Sequence, residues 1–179
     1  GFYPSDGADN GRDALMVKTI FEHSDKHAFV NPFDLQNFKA ITDMAIAVKG
    51  DADAVRQHPP VTILTSVTAP SHILDYCIDL IFHAGSLGIP VEVNTAPLMG
   101  GTCPITIAGC LLQVNLEILS LITLSQLAHP GAPLIYRGIT MIMDMATGEG
   151  VIGAPECALA QAAQCQMVKS LYRIPVNNY

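Results

Sequence analysis

Five short apolar or β-branched segments begin near residues 27, 61, 90, 132 and 174, each separated from the next by one stretch of helical periodicity. That alternation limits the fold more than any other feature of the chain. Strand and helix in turn at this pitch mean parallel strands joined by right-handed crossovers. Two architectures satisfy it, a doubly wound sheet and a (β/α)8 barrel. Polar residues close several strands at their C-terminal ends (Asn31, Thr65, Asn94, Arg137), which is where barrel sites are built. No Gly-x-Gly-x-x-Gly follows the first strand, as a dinucleotide fold would want. Both details favour the barrel. Five strands fall short of the eight that close one, so the expectation is a partial (β/α)8 TIM barrel, about five consecutive β/α units. Residues 1–179 would then be an internal fragment of a single barrel catalytic domain in a longer chain.

Taken in order, Pro4-Ser5-Asp6-Gly7 and Asn10-Gly11 are turn signals. Residues 13–23 read as a helix, 27–31 as a short strand stopped by Pro32, and 32–48 as a helix with Phe38, Ile41, Ala45 and Val48 at helical spacing. Residues 50–60 read as a charged linker and 61–67 as a strand rich in β-branched residues. A helix is expected over 73–87 with Gly88 as its cap. Residues 132–137 form the next expected strand, and 138–155 a long loop carrying Met141, Met143, Asp144 and Met145. An Ala/Gln-rich helix over 156–172 precedes a last strand over 174–179.

The stretch 89–128 carries the strongest local signal. In the strand from Pro90, Val91 and Val93 share one face and Glu92 and Asn94 the other. Gly100-Gly101 in the following loop can take positive φ and let a ligand approach the backbone, or form only a tight βα turn. Thr102 suits an N-cap and Pro104 the first turn of a helix, whose free N–H groups would face the loop. The apolar run from Ile105 nearly reaches bilayer length, but Glu117 and recurring polar residues point to a helix packed on a sheet, polar mainly outward.

Half the residues are hydrophobic and 14% are charged, so either the surface is small relative to the core or much of it meets other protein; a homo-oligomer is one expected assembly. Lys+Arg 9 against Asp+Glu 16 leaves a net charge of −7 with no basic run, which argues against nucleic acid and anionic membranes and fits a cationic substrate. Five cysteines without CxxC spacing, and no His-Cys grouping of zinc type, read as buried free thiols in a reducing cytoplasm; no metal site is expected. Nothing resembles a signal peptide.

Pro-Leu-Met-Gly-Gly-Thr-Cys-Pro-Ile-Thr-Ile-Ala-Gly (97–109), Gln-Leu-Ala-His-Pro-Gly-Ala-Pro (126–133), Met-Asp-Met (143–145) and Gly-Ala-Pro-Glu (153–156) fall in order. Together they resemble the trimethylamine methyltransferase family, the MttB-like corrinoid methyltransferases, from about Ser24 onward. The resemblance implies a barrel that binds a methylated amine, trimethylamine or a quaternary amine such as glycine betaine, at its C-terminal face. It implies transfer of a methyl group to the Co(I) centre of a separate corrinoid (cobalamin) protein, the chain itself binding no cofactor. In the trimethylamine-specific branch a pyrrolysine lies just beyond the strand that begins at Arg173, so an amber codon past Tyr179 would favour trimethylamine.

Methyl transfer from a cationic nitrogen is a displacement, so alignment and charge stabilisation outweigh acid–base chemistry. A cation site needs carboxylates or aromatic faces. Glu92 and Asp144 are the acidic candidates for catalysis, and Tyr136 and Phe29 the aromatic ones. Thr65, Asn94, Gly100, Gly101, Tyr136 and Arg137 are the candidate substrate-binding residues, Arg137 for a betaine carboxylate. Glu92 could instead pair with an internal Arg or Lys, and His27, His72 and His129 read as structural. Two rivals remain: another barrel enzyme holding a phosphate or carboxylate at Gly100-Gly101, and a non-catalytic small-amine binding protein.

Overall fold

The computed structural model describes residues 11–177. The turn signals at Pro4-Ser5-Asp6-Gly7 and Asn10, and residues 178–179 of the last expected strand, lie outside the described residues. In chain order the elements are α1 (Arg12–His23), β1 (Ala28–Val30), α2 (Leu35–Lys49), α3 (Ala52–Gln57), β2 (Val61–Val67), α4 (Asp75–Leu87) and β3 (Val91–Thr95). There follow β4 (Leu98–Met99), α5 (Ile107–Ala128), β5 (Leu134–Gly138), β6 (Met141–Met143), β7 (Gly150–Val151), α6 (Pro155–Met167) and a π-helical turn (Val168–Tyr172). The main sheet has the order β1-β2-β3-β5, so its strands run in chain order without the reversal of a doubly wound sheet. β1 and β2 pair in parallel, with Ala28 opposite Val61 and Val30 opposite Ile63.

Several expected boundaries move, each for a local reason. The linker over 50–60 contains α3, because Asp51 caps it by accepting from Ala54 N at 2.7 Å and Val55 anchors it in the core. α2 starts later than expected, at Leu35, where Asp34 accepts from Asn37 N at 2.7 Å. The long loop 138–155 holds the antiparallel hairpin β6–β7, and β4 pairs in parallel with β6, making a second, three-stranded sheet. Among the described residues, the last expected strand shows one parallel bridge, between Val176 and Tyr136.

The chain divides into two compact units. Among the described residues the first comprises 11–65, Asp75–Glu92 and Ser125–Pro133. Its core includes Val17, Phe38, Ile41, Ala45, Val55, Leu80, Ile81 and Ala84. Successive strands start in step here: Ala28 N donates to Pro60 O, Ile63 N to Pro90 O and Val91 N to Pro133 O, at 2.8, 3.1 and 3.1 Å. His27 fastens β1 to β2, with one ring nitrogen 2.8 Å from Thr62 Oγ1 and the other 3.0 Å from Pro59 O. Gly85 lets the His129 ring close on α4; a Cβ there would stand 2.8 Å from the ring.

Among the described residues the second unit comprises Ser66–Leu74, Val93–Leu124 and 134–177. α5 is its longest helix, and it alone among the described residues is long and apolar enough to cross a membrane. Cys110, Val114, Glu117, Ile118 and Leu121 are its buried side chains within this unit. The expectation that its polar residues face mainly outward holds only in part: Glu117 is 1% exposed, whereas Leu112 and Leu116 are 68% and 52% exposed. Ser120 and Thr123 do face outward, but they return their hydroxyls to the carbonyls of Leu116 and Leu119.

Candidate functional site

The polar centre of the second unit is built on the C-terminal ends of β2 and β3. Asn94 is 6% exposed; its Nδ2 donates to Ser66 Oγ at 3.1 Å, and its Oδ1 has no hydrogen-bond partner among the described residues. A buried amide oxygen left in this state is costly unless something comes to meet it. The strand period of two turns the next residue, Thr95, to the opposite face, where its hydroxyl donates to Glu117 of α5. Glu117 Oε1 also accepts from Ser71 N and from Gln113 Nε2, both at 2.7 Å. Ser71 holds φ +53, an unusual value for a residue with a Cβ. One carboxylate thus binds the loop after β2, the end of β3 and the second turn of α5.

Tyr136 also lies on a helix-facing side. Its hydroxyl approaches Asn115 Oδ1 at 3.4 Å, while Asn115 Nδ2 donates to Tyr172 Oη at 2.8 Å. Burial and the neighbouring Tyr172 push its phenol above the ordinary tyrosine value, with a Gln164 hydrogen bond opposing them. It therefore stays neutral. Gln164, fully buried on α6, reads the backbone of Gly138: its oxygen accepts from Gly138 N at 3.0 Å and its nitrogen donates to Gly138 O at 3.1 Å. Arg137, between Tyr136 and Gly138, alternates to the other face of β5, where it is buried and engaged by neighbouring groups.

The glycine loop is self-contained. Gly101, Thr102 and Cys103 all send their N–H groups to Leu98 O, and Gly100 N donates to Cys103 O. Thr102 does not cap the helix; its hydroxyl accepts from Leu98 N at 2.8 Å. α5 begins five residues later, at Ile107, capped by Thr106, whose Oγ1 accepts from Gly109 N at 3.2 Å. Pro104 accordingly precedes the helix rather than sitting in its first turn. Gly100, with φ +85, provides the tight turn, and the loop offers no cluster of free N–H groups to an anion.

Asp144 lies at the exposed turn of the β6–β7 hairpin. Its Oδ1 accepts from Ala146 N at 2.9 Å and its Oδ2 from Thr147 Oγ1 at 3.0 Å, and these bonds hold its carboxyl below the ordinary aspartate value. In the first unit, Thr65 is buried on the strand face of Ile63 and Val67, opposite to Ser66, and its Oγ1 has no partner among the described residues. Glu92 is buried, engaged by neighbouring groups, and on the same strand face as Asn94. Phe29 is half-exposed on β1. The structure thus brings Asn94 together with Ser66. It places Tyr136 on the helix side and Asp144 and Gly100-Gly101 in separate turns.

Sequence reasoning missed Ser66, Glu117, Asn115 and Gln164. Two of them left a legible trace: Ser66 as a polar residue at the far end of its strand, beside Thr65, and Glu117 as a lone carboxylate in an apolar run one turn after Gln113. All five cysteines are free, and burial is the first of the effects raising the Cys110 thiol above its ordinary value. Among the described residues no group of three or more His, Cys, Asp or Glu could hold a metal ion.

The model of the trimethylamine methyltransferase family matches residues 2–178. The chain belongs to that family. It is 34% identical over 159 residues, 89% of the chain, to a trimethylamine methyltransferase MttB of Desulfitobacterium hafniense, covering 32% of that protein. The MttB of Methanosarcina thermophila is 33% identical over 126 residues, 70% of the chain and 26% of that protein. A glycine betaine methyltransferase of Desulfitobacterium hafniense is 27% identical over 172 residues, 96% of the chain and 36% of that protein. The chain therefore spans between about a quarter and about a third of the length of these relatives.

Proposed function

We propose that the chain forms part of a methyltransferase that takes a methyl group from a methylated amine and delivers it to the Co(I) centre of a partner corrinoid protein. The observation that carries this reading is family membership along nearly the whole chain, with relatives named for trimethylamine and for glycine betaine. The chain-order sheet supports a barrel, whose sites lie at strand C-termini. Asn94 and Ser66 stand at such ends.

The corrinoid supplies the methyl acceptor, so the chain has only to hold and aim the donor. Asn94 does this in two ways. Its Nδ2 is committed to Ser66, which fixes the amide plane, and its Oδ1 presents a partial negative charge to a cationic amine. A protonated tertiary amine can donate its N–H to that oxygen, and a quaternary amine can offer only polarised methyl groups. Buried Arg137 is the group suited to a betaine carboxylate. Glu92, Thr65, Tyr136, Asp144, Gly100 and Gly101 are the further positions at which the same reading is tested by substitution.

The test is methylation of the corrinoid protein, followed by its visible spectrum, with trimethylamine and with glycine betaine as donors. Asn94→Ala should raise KM for the accepted amine roughly tenfold, the scale of one lost polar contact. Arg137→Met should damage turnover of betaine far more than of trimethylamine. Absence of methyl transfer from either amine in the presence of a competent corrinoid protein would refute the proposal.

A further inference from the structure

Glu117 is a buried carboxylate that the reading above leaves without a role. Its partners are the Ser71 N–H, the Thr95 hydroxyl and the Gln113 amide, and Gln113 Nε2 also reaches Ser71 Oγ at 2.9 Å. Every one is a neutral donor. Such a group costs free energy to bury and, lacking a cation, does not repay it as an ion pair would. What it does is local. It holds Ser71 in a left-handed conformation that a side chain resists, and it fixes the last residue of β3. Ser71 belongs to the loop that Ser66 and Val67 lead into, and Thr95 adjoins Asn94. The two ends of the Ser66–Asn94 hydrogen bond are therefore set by segments that meet on one carboxylate.

We propose that Glu117 is a positioning residue for methyl transfer, holding the strand ends that carry Ser66 and Asn94 at the spacing the methylated amine requires. The inference rests on the reading that Asn94 binds the amine. Glu117 acts as an acceptor of hydrogen bonds, so glutamine can replace much of its work: its oxygen still accepts from Ser71 and Gln113, and its nitrogen can donate to Thr95 Oγ1. Alanine cannot.

The experiment compares Glu117→Gln, Glu117→Ala, Thr95→Val and Asn94→Ala in the protein assayed with its corrinoid protein, with trimethylamine binding measured separately by calorimetry. Glu117→Ala should lower kcat/KM roughly tenfold or more and weaken trimethylamine binding, as expected when a binding group shifts by a fraction of an ångström. Glu117→Gln should restore most of the loss. Thr95→Val, which removes one donor at nearly constant volume, should fall between them and decides the matter if Glu117→Ala does not fold. A lowered melting temperature with unchanged kcat, KM and trimethylamine affinity in the alanine and valine variants would make Glu117 merely structural and overturn the inference, as would a glutamine variant as damaged as the alanine one. If Asn94→Ala leaves amine binding untouched, the underlying reading of Asn94 has failed; if it weakens binding while the Glu117 and Thr95 variants do not, only the positioning role has.

Discussion

His83, in the first unit, is a side chain whose surroundings predict a pH response. One ring nitrogen lies 3.1 Å from Thr42 Oγ1, and the ring meets Phe38 edge-on at 5.1 Å. Burial first, and Lys39 second, lower its pKa from the ordinary 6.5, with Asp43 opposing. A depressed value means that the neutral ring is favoured in the folded state. Its contribution to stability is therefore present above 6.5 and lost as the pH falls through the lowered value. Thermal melts across that interval should show a drop on acidification that His83→Gln reduces; an undiminished drop would assign it to other groups. Gly138 makes a steric counterpart. A Cβ there would lie 2.1 Å from the Gln164 amide and 2.7 Å from Val114 Cγ1. Gly138→Ala should destabilise by about 1–3 kcal/mol through overpacking, read by denaturant titration.

Among the elements, α5 carries the most weight, and its two faces make opposite predictions. Ile118 and Leu121 are fully buried, so either alanine variant should cost about 2–5 kcal/mol. Leu112→Gln or Leu116→Gln, on the exposed side, should stay within about 0.5 kcal/mol. Equal costs on both faces, measured by denaturant titration, would contradict the observed orientation. Position in sequence did not reveal this. Thr102 and Thr106 both precede the helix, and both suit a cap by residue type. Only the Leu98 carbonyl, which gathers the N–H groups of residues 101–103, decides that Thr102 belongs to the turn and Thr106 to the helix.

Taken as a whole molecule, the chain exposes apolar surface in both units: Phe29 and Phe33 in the first, Leu112, Leu116, Leu159 and Leu171 in the second. A polypeptide of residues 1–179 should therefore bind an anilinonaphthalene dye strongly while retaining helical circular dichroism. Dye fluorescence at the level of buffer would show that these side chains are covered in solution. The net charge of −7 is the complementary whole-molecule property, and it favours a cationic ligand over a polyanion.

The alternation of strand and helix, and hence the parallel sheet, was legible because hydrophobic period is a local property. β2 over 61–67 and the glycine at residue 88 that ends α4 needed no knowledge of the rest of the chain. Family motifs were legible for the same reason, being runs of consecutive residues. What lay beyond reach was anything decided by distant partners. Strand parity placed Glu92 and Asn94 on one face, yet whether Tyr136 meets ligand or helix depended on Asn115 and Tyr172, which are 21 and 36 positions away. Asp144 reads as a candidate acid until its oxygens are seen occupied within its own turn. Glu117 reads as a misplaced surface residue until Ser71 and Thr95, 46 and 22 positions away, are seen bonded to it. Period and motif are written in neighbours along the chain, whereas the satisfaction of a buried polar group is settled by neighbours in space.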